Sequence, residues 1–412
     1  MERFYNLEKN FYRDELEGVY KYQSEHDKQI NKDARSKKTI FIAIACYRDD
    51  EILHTVKSAL LNAKNPDRLH FGISLIYKEG VDEGFWGEEL LKLPNVKVNI
   101  KSSSAETVGL GKQRADANAF YDGEDYYFQI DAHMRFDIYW DDLLIRHIEG
   151  VRLLGETKPV ITGYPRGYVS EKQPNAVGFY PYYNPISKEV YFRQVRGHNN
   201  VPSLRAGLDP VRFFKKSGFL RHGDRVFADF EVMAISTTVS PAQLFADGSF
   251  LKDVPANPKI RFLEEEQYYS ILAFMKGYTF YTPRVTGVMH YYSQDAAGNT
   301  VSDRPGAEEE FPELFREDTY YDGNLEGKEL IINLAKTPKA IRSFADYEKF
   351  AGVDYTKREL ISPVDRIITN DIVQYINFLA ETYTYSTTDY EEWFNEPNYH
   401  WRRDVDANEN RA

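Results

Sequence analysis

The residues best suited to chemistry lie in Tyr126-Tyr127-Phe128-Gln129-Ile130-Asp131-Ala132-His133-Met134-Arg135-Phe136, where an apolar run passes directly into an Asp-x-His triplet. In extended backbone, residues two apart project to the same side, so Asp131 and His133 can converge on one ion. A carboxylate with an imidazole suits Mn²⁺ or a similar octahedral ion such as Mg²⁺ better than Ca²⁺, which prefers oxygen ligands. Two protein ligands leave positions open for a diphosphate. An isolated Asp-x-His also arises by chance as an ordinary structural pair. Among the other histidines, His290 in Val288-Met289-His290-Tyr291-Tyr292 ends a β-type stretch and is the choice for a third ligand. His198 and His222 lie in polar loops and read as surface residues.

Two further clusters carry charge where a ligand would need it. Glu264-Glu265-Glu266 precedes a helix expected over Gln267–Lys276. Acidic residues there complement the helix dipole, which accounts for them without function; alternatively, a carboxylate at the mouth of a folded core can hold a substrate hydroxyl. The loop Gly109-Leu110-Gly111-Lys112-Gln113-Arg114 lacks P-loop spacing, but it puts cations and backbone N–H groups at a helix start, where a diphosphate is stabilised. No Gly-x-Ser-x-Gly elbow occurs, and Cys46 is the one cysteine, so activated-serine hydrolysis has no support.

The elements that must position these groups alternate. Thr39–Ala45 is a continuous apolar run, as a strand buried on both faces requires. A helical pattern follows through Ile52, Val56, Ala59 and Leu60, ending at Asn65-Pro66. Strands are predicted over Phe71–Tyr77, Val96–Ile100, Tyr126–Asp131 and Val160–Gly163, and helices over Lys112–Phe120 and Trp140–Leu154. This alternation predicts an α/β fold with a largely parallel sheet, whose ligands sit at the carboxyl ends of its strands. Ala45-Cys46-Tyr47-Arg48-Asp49 and Asp131-Ala132-His133 are both such ends. The stretch 164–240 is rich in Tyr, Pro and Gly and reads either as loops around a substrate or as irregular packing. Asp295–Glu310 reads as a linker or a lid, and Lys339–Gly352 and Asp365–Tyr383 as amphipathic helices.

Composition removes several classes. The chain has 412 residues and a net charge of −12, which disfavours a non-specific phosphate-backbone binder. A single cysteine excludes an intrachain disulfide framework and fits a reducing, cytoplasmic setting. The first residues are charged rather than signal-like, and no run reaches the roughly 18–20 apolar residues that span a bilayer. Aromatic residues are abundant, with 31 Tyr and 26 Phe; Tyr offers polar ligands both an apolar face and a hydroxyl.

Taken in order, the segments over residues 39–292 resemble the polypeptide N-acetylglucosaminyltransferases of glycosyltransferase family 60. The likeness runs through Ile42–Asp49, Gly109–Arg114, Tyr126–Phe136, Phe245–Phe250, Val254–Pro258, Phe262–Glu266, Gly277-Tyr278, Phe280–Pro283 and His290. It rests on their number, order and spacing. The resemblance implies a GT-A (Rossmann-like) nucleotide-sugar domain over 39–295, an N-terminal helical arm over 1–38 and a mostly helical extension over 296–412. It also implies a Mn²⁺-dependent (or Mg²⁺-dependent) retaining hexosyltransferase that uses UDP-GlcNAc and acts on a hydroxyl of a polypeptide.

Carried over by position, Asp131, His133 and His290 would hold the metal. Ala45, Tyr47 and Arg48 would lie beside the uridine, with Arg114 near the diphosphate and Asp131 also at the donor. Glu265 and Glu266, with Asp131, would be the catalytic acids. One departure is that the family usually has Gly where this chain has Glu264. Two rival functions are a glycosyltransferase acting on a hydroxylated nucleic-acid base, through Arg193, Arg196, Arg205 or Arg402-Arg403, and a non-catalytic sugar-binding module on the same fold.

Overall fold

The computed structural model describes residues 37–360 apart from 83–85, 138, 154, 171–178, 184–189, 195–232, 263, 284–286, 292–305, 315–324, 339, 352, 356 and 358. The arm expected before residue 37, the helix expected over 365–383, His198, His222, Arg196, Arg205 and Arg402-Arg403 lie outside the described residues.

The first apolar run forms β1, Ile40–Tyr47, buried at seven of its eight positions. Then follow α1 (Glu51–Asn62), β2 (Leu69–Tyr77), α2 (Trp86–Leu91), β3 (Val96–Ser102), α3 (Leu110–Asn118), β4 (Tyr126–Asp131), β5 (Met134–Phe136), α4 (Trp140–Leu153) and β6 (Pro159–Thr162). Beyond them lie β7 (Arg166–Ser170), β8 (Phe179–Tyr183), β9 (Val190–Gln194), β10 (Met233–Ser236), β11 (Gln243–Asp247), α5 (Phe250–Asp253), α6 (Glu264–Met275), β12 (Thr279–Pro283) and β13 (Val288–Tyr291). The helices α7 (Ala307–Glu310), α8 (Leu325–Leu334) and α9 (Phe344–Ala351) complete the part relevant to the site.

Eight strands make one sheet in the order β10-β12-β6-β11-β4-β1-β2-β3. β4, β1, β2 and β3 are mutually parallel, β6 and β12 pair in parallel, and β11 runs antiparallel between β4 and β6. The mixed α/β class with a mostly parallel sheet is therefore the one that strand–helix alternation predicts. Successive β1 side chains feed opposite cores, because side chains alternate across a strand. Ile40, Ile42 and Ile44 pack with Ile52, Val56, Trp140, Leu144 and Ile148 of α1 and α4. On the other face, Phe41 and Ala43 pack with Ala117 of α3 and with Tyr269, Ile271 and Phe274 of α6. Ile331, Leu334, Phe344 and Tyr347 of α8 and α9 belong to that second core, so these helices close over α6.

A second sheet, ordered β5-β13-β7-β9-β8, stands beside the first. The chain crosses from one sheet to the other at Ala132-His133, between β4 and β5. Thr55 of α1 fixes that crossing: its hydroxyl donates to the Ala132 carbonyl at 2.6 Å and accepts from the Met134 N–H at 2.8 Å. Among the described residues of the stretch read as loops or irregular packing, Arg166–Ser170, Phe179–Tyr183, Val190–Gln194 and Met233–Ser236 form strands. Each of β7, β8 and β9 is five residues long, too short for an alternation to stand out, and they include Gly167 and Pro181. The acidic triplet also lies inside α6 as its first turn rather than before it. Among the described residues, no helix is long and apolar enough to cross a membrane.

Trp140 seals the α1–α4 side of the core. It is fully buried, donates its indole N–H to the Ala59 carbonyl at 2.9 Å, and packs on Phe128 and Phe136 at 5.5 and 4.6 Å between ring centres. Replacing it by alanine leaves a large apolar cavity, so Trp140→Ala is expected to lower unfolding free energy by about 3–5 kcal/mol. Urea titration of the two proteins measures this, and a difference below about 1 kcal/mol would contradict the packing described.

Candidate functional site

Asp131 ends β4 directly beside Ala45 at the end of β1, where the two strands are in register. Three side chains meet there. His133 Nε2 and His290 Nε2 are 3.0 Å apart, and His290 Nε2 lies 3.2 Å from Asp131 Oδ2. The three donor atoms all fall within 4.8 Å of one another. Adjacent ligands at right angles around an ion with bonds of about 2.1 Å are about 3 Å apart. The observed separations and the N/N/O donor set therefore fit one divalent cation. Each of the three side chains comes from a different backbone context: Asp131 from the main sheet, His133 from the crossing, His290 from the second sheet. A bond from the Tyr291 N–H to the His133 carbonyl (3.0 Å) sets β13 against the crossing.

Arg114 lies beneath this cluster, only 1% exposed. Its Nη2 donates to Asp131 Oδ1 at 2.8 Å, its Nη1 to the Ile130 carbonyl at 2.6 Å, and its Nε to Glu265 Oε1 at 3.1 Å. With Oδ1 so held, Asp131 Oδ2 is the oxygen turned to the histidines. Burial opposes charge on Asp131, yet the His290 hydrogen bond and the Arg114 guanidinium outweigh it and hold the carboxyl well below the usual range. Arg114, expected near the diphosphate, is thus a buried guanidinium bonded to Asp131, Glu265 and the Ile130 carbonyl.

The position of Arg114 depends on how α3 begins. Gly111 donates its N–H to the Ile260 carbonyl at 3.0 Å and lies so close to the Asn257 carbonyl that a Cβ there would collide with backbone. This close approach is what the glycine supplies.

The three acids of α6 divide. Glu264 is buried and accepts from the Phe262 N–H at 3.0 Å, closing the start of the helix. Glu265 is buried against Arg114 and Gln129. Glu266 is partly exposed and accepts from the Tyr164 hydroxyl at 2.7 Å. Of the two acids expected at an acceptor, the structure gives Glu266 the accessible position and puts Glu265 in support of Arg114.

At the end of β1, Arg48 has φ of +49°, a left-handed conformation uncommon for a residue with a side chain. It turns the backbone sharply, so that Tyr47 and Arg48 face one way and Asp49 the other. Arg48 makes a two-pronged pair with Asp82, at 2.9 and 2.8 Å. Tyr47 donates to Glu310 at 2.5 Å, and Arg48 and Lys78 each reach the same carboxylate at 2.9 Å. Partial burial works against charge on Glu310, but bonds from Tyr47, Lys78 and Arg48 bring its pKa down to about 2. Asp49, on the other side of the turn, is buried and sits 2.7 Å from His133 Nδ1. Asp82, Tyr164 and Glu310 were not singled out from the sequence. Tyr164 opens the stretch read as substrate loops or irregular packing and Glu310 ends the stretch read as a linker or a lid, while Asp82 lies outside every motif; Asp49 lay inside a candidate strand end but carried no expected role.

A model of the glycosyltransferase (GlcNAc) family matches residues 39–92 and 87–310, about two thirds of the chain. The chain belongs to that family and is a glycosyltransferase. Similar solved structures include GalNAc-T7 crystallised with UDP, GalNAc and Mn²⁺, at 13% identity and a TM-score of 0.42, covering 88% of this chain. This chain spans 57% of the GalNAc-T7 chain. Staphylococcus aureus TarS residues 1–349, crystallised in complex with UDP-GlcNAc, has 12% identity and a TM-score of 0.36 over 84% of this chain and 80% of its own. Comparison with curated proteins gives no match.

The Glu265–Arg114 pair makes a prediction about pH. Burial raises the Glu265 pKa from 4.5 to about 7, against the opposing pull of Arg114. A carboxyl with a raised folded-state pKa contributes stability that is complete below its unfolded value and is lost as pH rises through its folded value. Glu265→Gln keeps the shape and removes this titration. The variant's melting temperature should therefore rise relative to that of the unsubstituted protein as pH goes from 4.5 to 7.5. Parallel melting curves across that range would contradict the assignment.

Proposed function

We propose that this glycosyltransferase moves GlcNAc from UDP-GlcNAc to a hydroxyl of a polypeptide, with retention, using a divalent cation (Mn²⁺ or Mg²⁺) held by Asp131, His133 and His290. The observation that carries the reading is the meeting of these three side chains, 3.0–3.2 Å between successive donor atoms, at the carboxyl end of a parallel strand. The family's own description supports the GlcNAc part.

When bound, such an ion supplies Lewis acidity to a leaving diphosphate, an effect of several kcal/mol. The chain's residues do the rest. Arg114 fixes the Asp131 carboxylate, so that one oxygen faces the cluster at no cost in reorganisation. Tyr47, Arg48 and Lys78 present O–H and N–H donors beside the end of β1, in reach of a nucleoside. Ala45 contributes backbone at the same strand end. Glu266, oriented by Tyr164, is the accessible carboxylate that can hold a sugar or acceptor hydroxyl, with Glu265 supporting Arg114 from behind.

UDP release from UDP-GlcNAc, with and without Mn²⁺, tests the reading, followed by mass spectrometry of candidate polypeptide acceptors. Asp131→Ala is expected to reduce metal-dependent turnover by about a hundredfold or more. Full metal-dependent turnover in Asp131→Ala would sink the site, and label found on nucleic acid but never on polypeptide would replace the acceptor.

A second expectation concerns Glu310, which occupies the donors of Tyr47, Arg48 and Lys78. A uridine using those donors must displace it. Glu310→Ala should then tighten UDP binding several-fold by calorimetry, and weaker binding would instead make Glu310 part of the pocket.

A further inference from the structure

We propose that Asp49 is a positioning residue for His133: it holds the imidazole proton on Nδ1 and so leaves the Nε2 lone pair facing the cation. This rests on reading Asp131, His133 and His290 as a metal site.

The geometry is specific. Asp49 Oδ2 lies 2.7 Å from His133 Nδ1, a short distance for a charge-assisted bond, and Asp49 is only 5% exposed. A carboxylate accepts and cannot donate, so the hydrogen in that contact belongs to Nδ1. A neutral imidazole carries one ring proton; with that proton on Nδ1, the unprotonated nitrogen is Nε2. Nε2 is the atom 3.0 Å from His290 Nε2, in the cluster itself. Carboxylates that bond the outer nitrogen of a ligating histidine fix its tautomer, its ring angle and its basicity.

The other Asp49 contacts hold it in place for this work. Oδ1 accepts the Glu51 N–H at 3.0 Å, at the start of α1, and the Asp49 carbonyl accepts from the Cys46 thiol at 3.4 Å. Thr55, one turn further along the same helix, pins the carbonyls on either side of His133. Helix α1 therefore fixes both the backbone around His133 and, through Asp49, its ring. Because Arg48 takes a left-handed conformation, consecutive residues serve two sites: Arg48 faces Asp82 and Glu310 while Asp49 faces the metal cluster. Asp49 thus joins the strand end expected at the nucleoside to a ligand of the cation.

The test uses the full chain and Mn²⁺ as the probe. Mn²⁺ binding is measured by calorimetry, or by the electron paramagnetic resonance of free Mn²⁺, for the unsubstituted protein, Asp131→Ala, Asp49→Asn and Asp49→Ala. The His133 tautomer is read in the metal-free protein from ¹⁵N imidazole shifts. Asn at 49 can still accept the Glu51 N–H, so helix α1 keeps its start and the melting temperature should hold. Its amide N–H then faces His133 Nδ1 and favours the proton on Nε2, the nitrogen the metal needs bare. The expected result is Mn²⁺ affinity 10–100-fold lower in Asp49→Asn and Asp49→Ala, with His133 protonated on Nδ1 in the unsubstituted protein and on Nε2 in Asp49→Asn.

Asp49→Asn binding Mn²⁺ within twofold of the unsubstituted protein, while Asp131→Ala has lost it, overturns this inference alone. So does an unsubstituted His133 that carries its proton on Nε2. No Mn²⁺ binding by the unsubstituted protein, or none lost in Asp131→Ala, overturns the metal reading and this inference with it.

Discussion

A guanidinium that is 1% exposed dictates much of what surrounds it. Arg114 has given up water, and a buried charge without compensation is among the most expensive features a protein can contain. The compensation comes from Glu265, 151 positions along the chain, and from Asp131, with the Ile130 carbonyl taking a third bond. Satisfying Arg114 thus ties α3, β4 and α6 into one arrangement. It also decides which oxygen of Asp131 remains for the histidines. The site is a by-product of neutralising that cation as much as a thing in itself.

The supports of α6 follow the same logic. One side carries Glu265 to Arg114; the other is covered by α8 and α9. Gln267 donates to the Tyr347 hydroxyl at 3.0 Å, and that hydroxyl donates to the Thr237 carbonyl at 3.0 Å. Ile331, Leu334 and Phe344 complete an apolar cover over Ile271 and Phe274. Helices beyond the family match therefore hold a helix within it, and the orientation of Glu265 and Glu266 depends on both.

What the sequence discloses about this protein follows from what is local. β1 and β4 are apolar runs buried on both faces, and α1 and α4 show their apolar stripes at helical spacing, so their places were readable. Asp131 and His133 are two residues apart and could be paired from strand periodicity alone. Of the second sheet only β13 was legible, as the β-type stretch around His290; β5, β7, β8 and β9, at three to five residues each, contain too few turns of the pattern to announce themselves. The roles of Glu265 and Asp49 were hidden for another reason. Glu265 reads as one of three equivalent acids until Arg114 is placed behind it, and Asp49 reads only as the last residue of a strand end until His133 arrives from 84 positions away. Burial and partners are properties of the assembled molecule.

The crossing at Ala132-His133 has a consequence for how the chain comes to be folded. The site's decisive contacts span 84, 151, 157 and 159 positions. Closing such loops costs conformational entropy before any contact repays it, and proteins dominated by distant pairings fold slowly. His290 meets Asp131 where β13 is paired with β5 and the second sheet lies against the end of β4. The His133–His290 approach is thus a record of finished folding: a chain in which those two rings touch has already solved its topology.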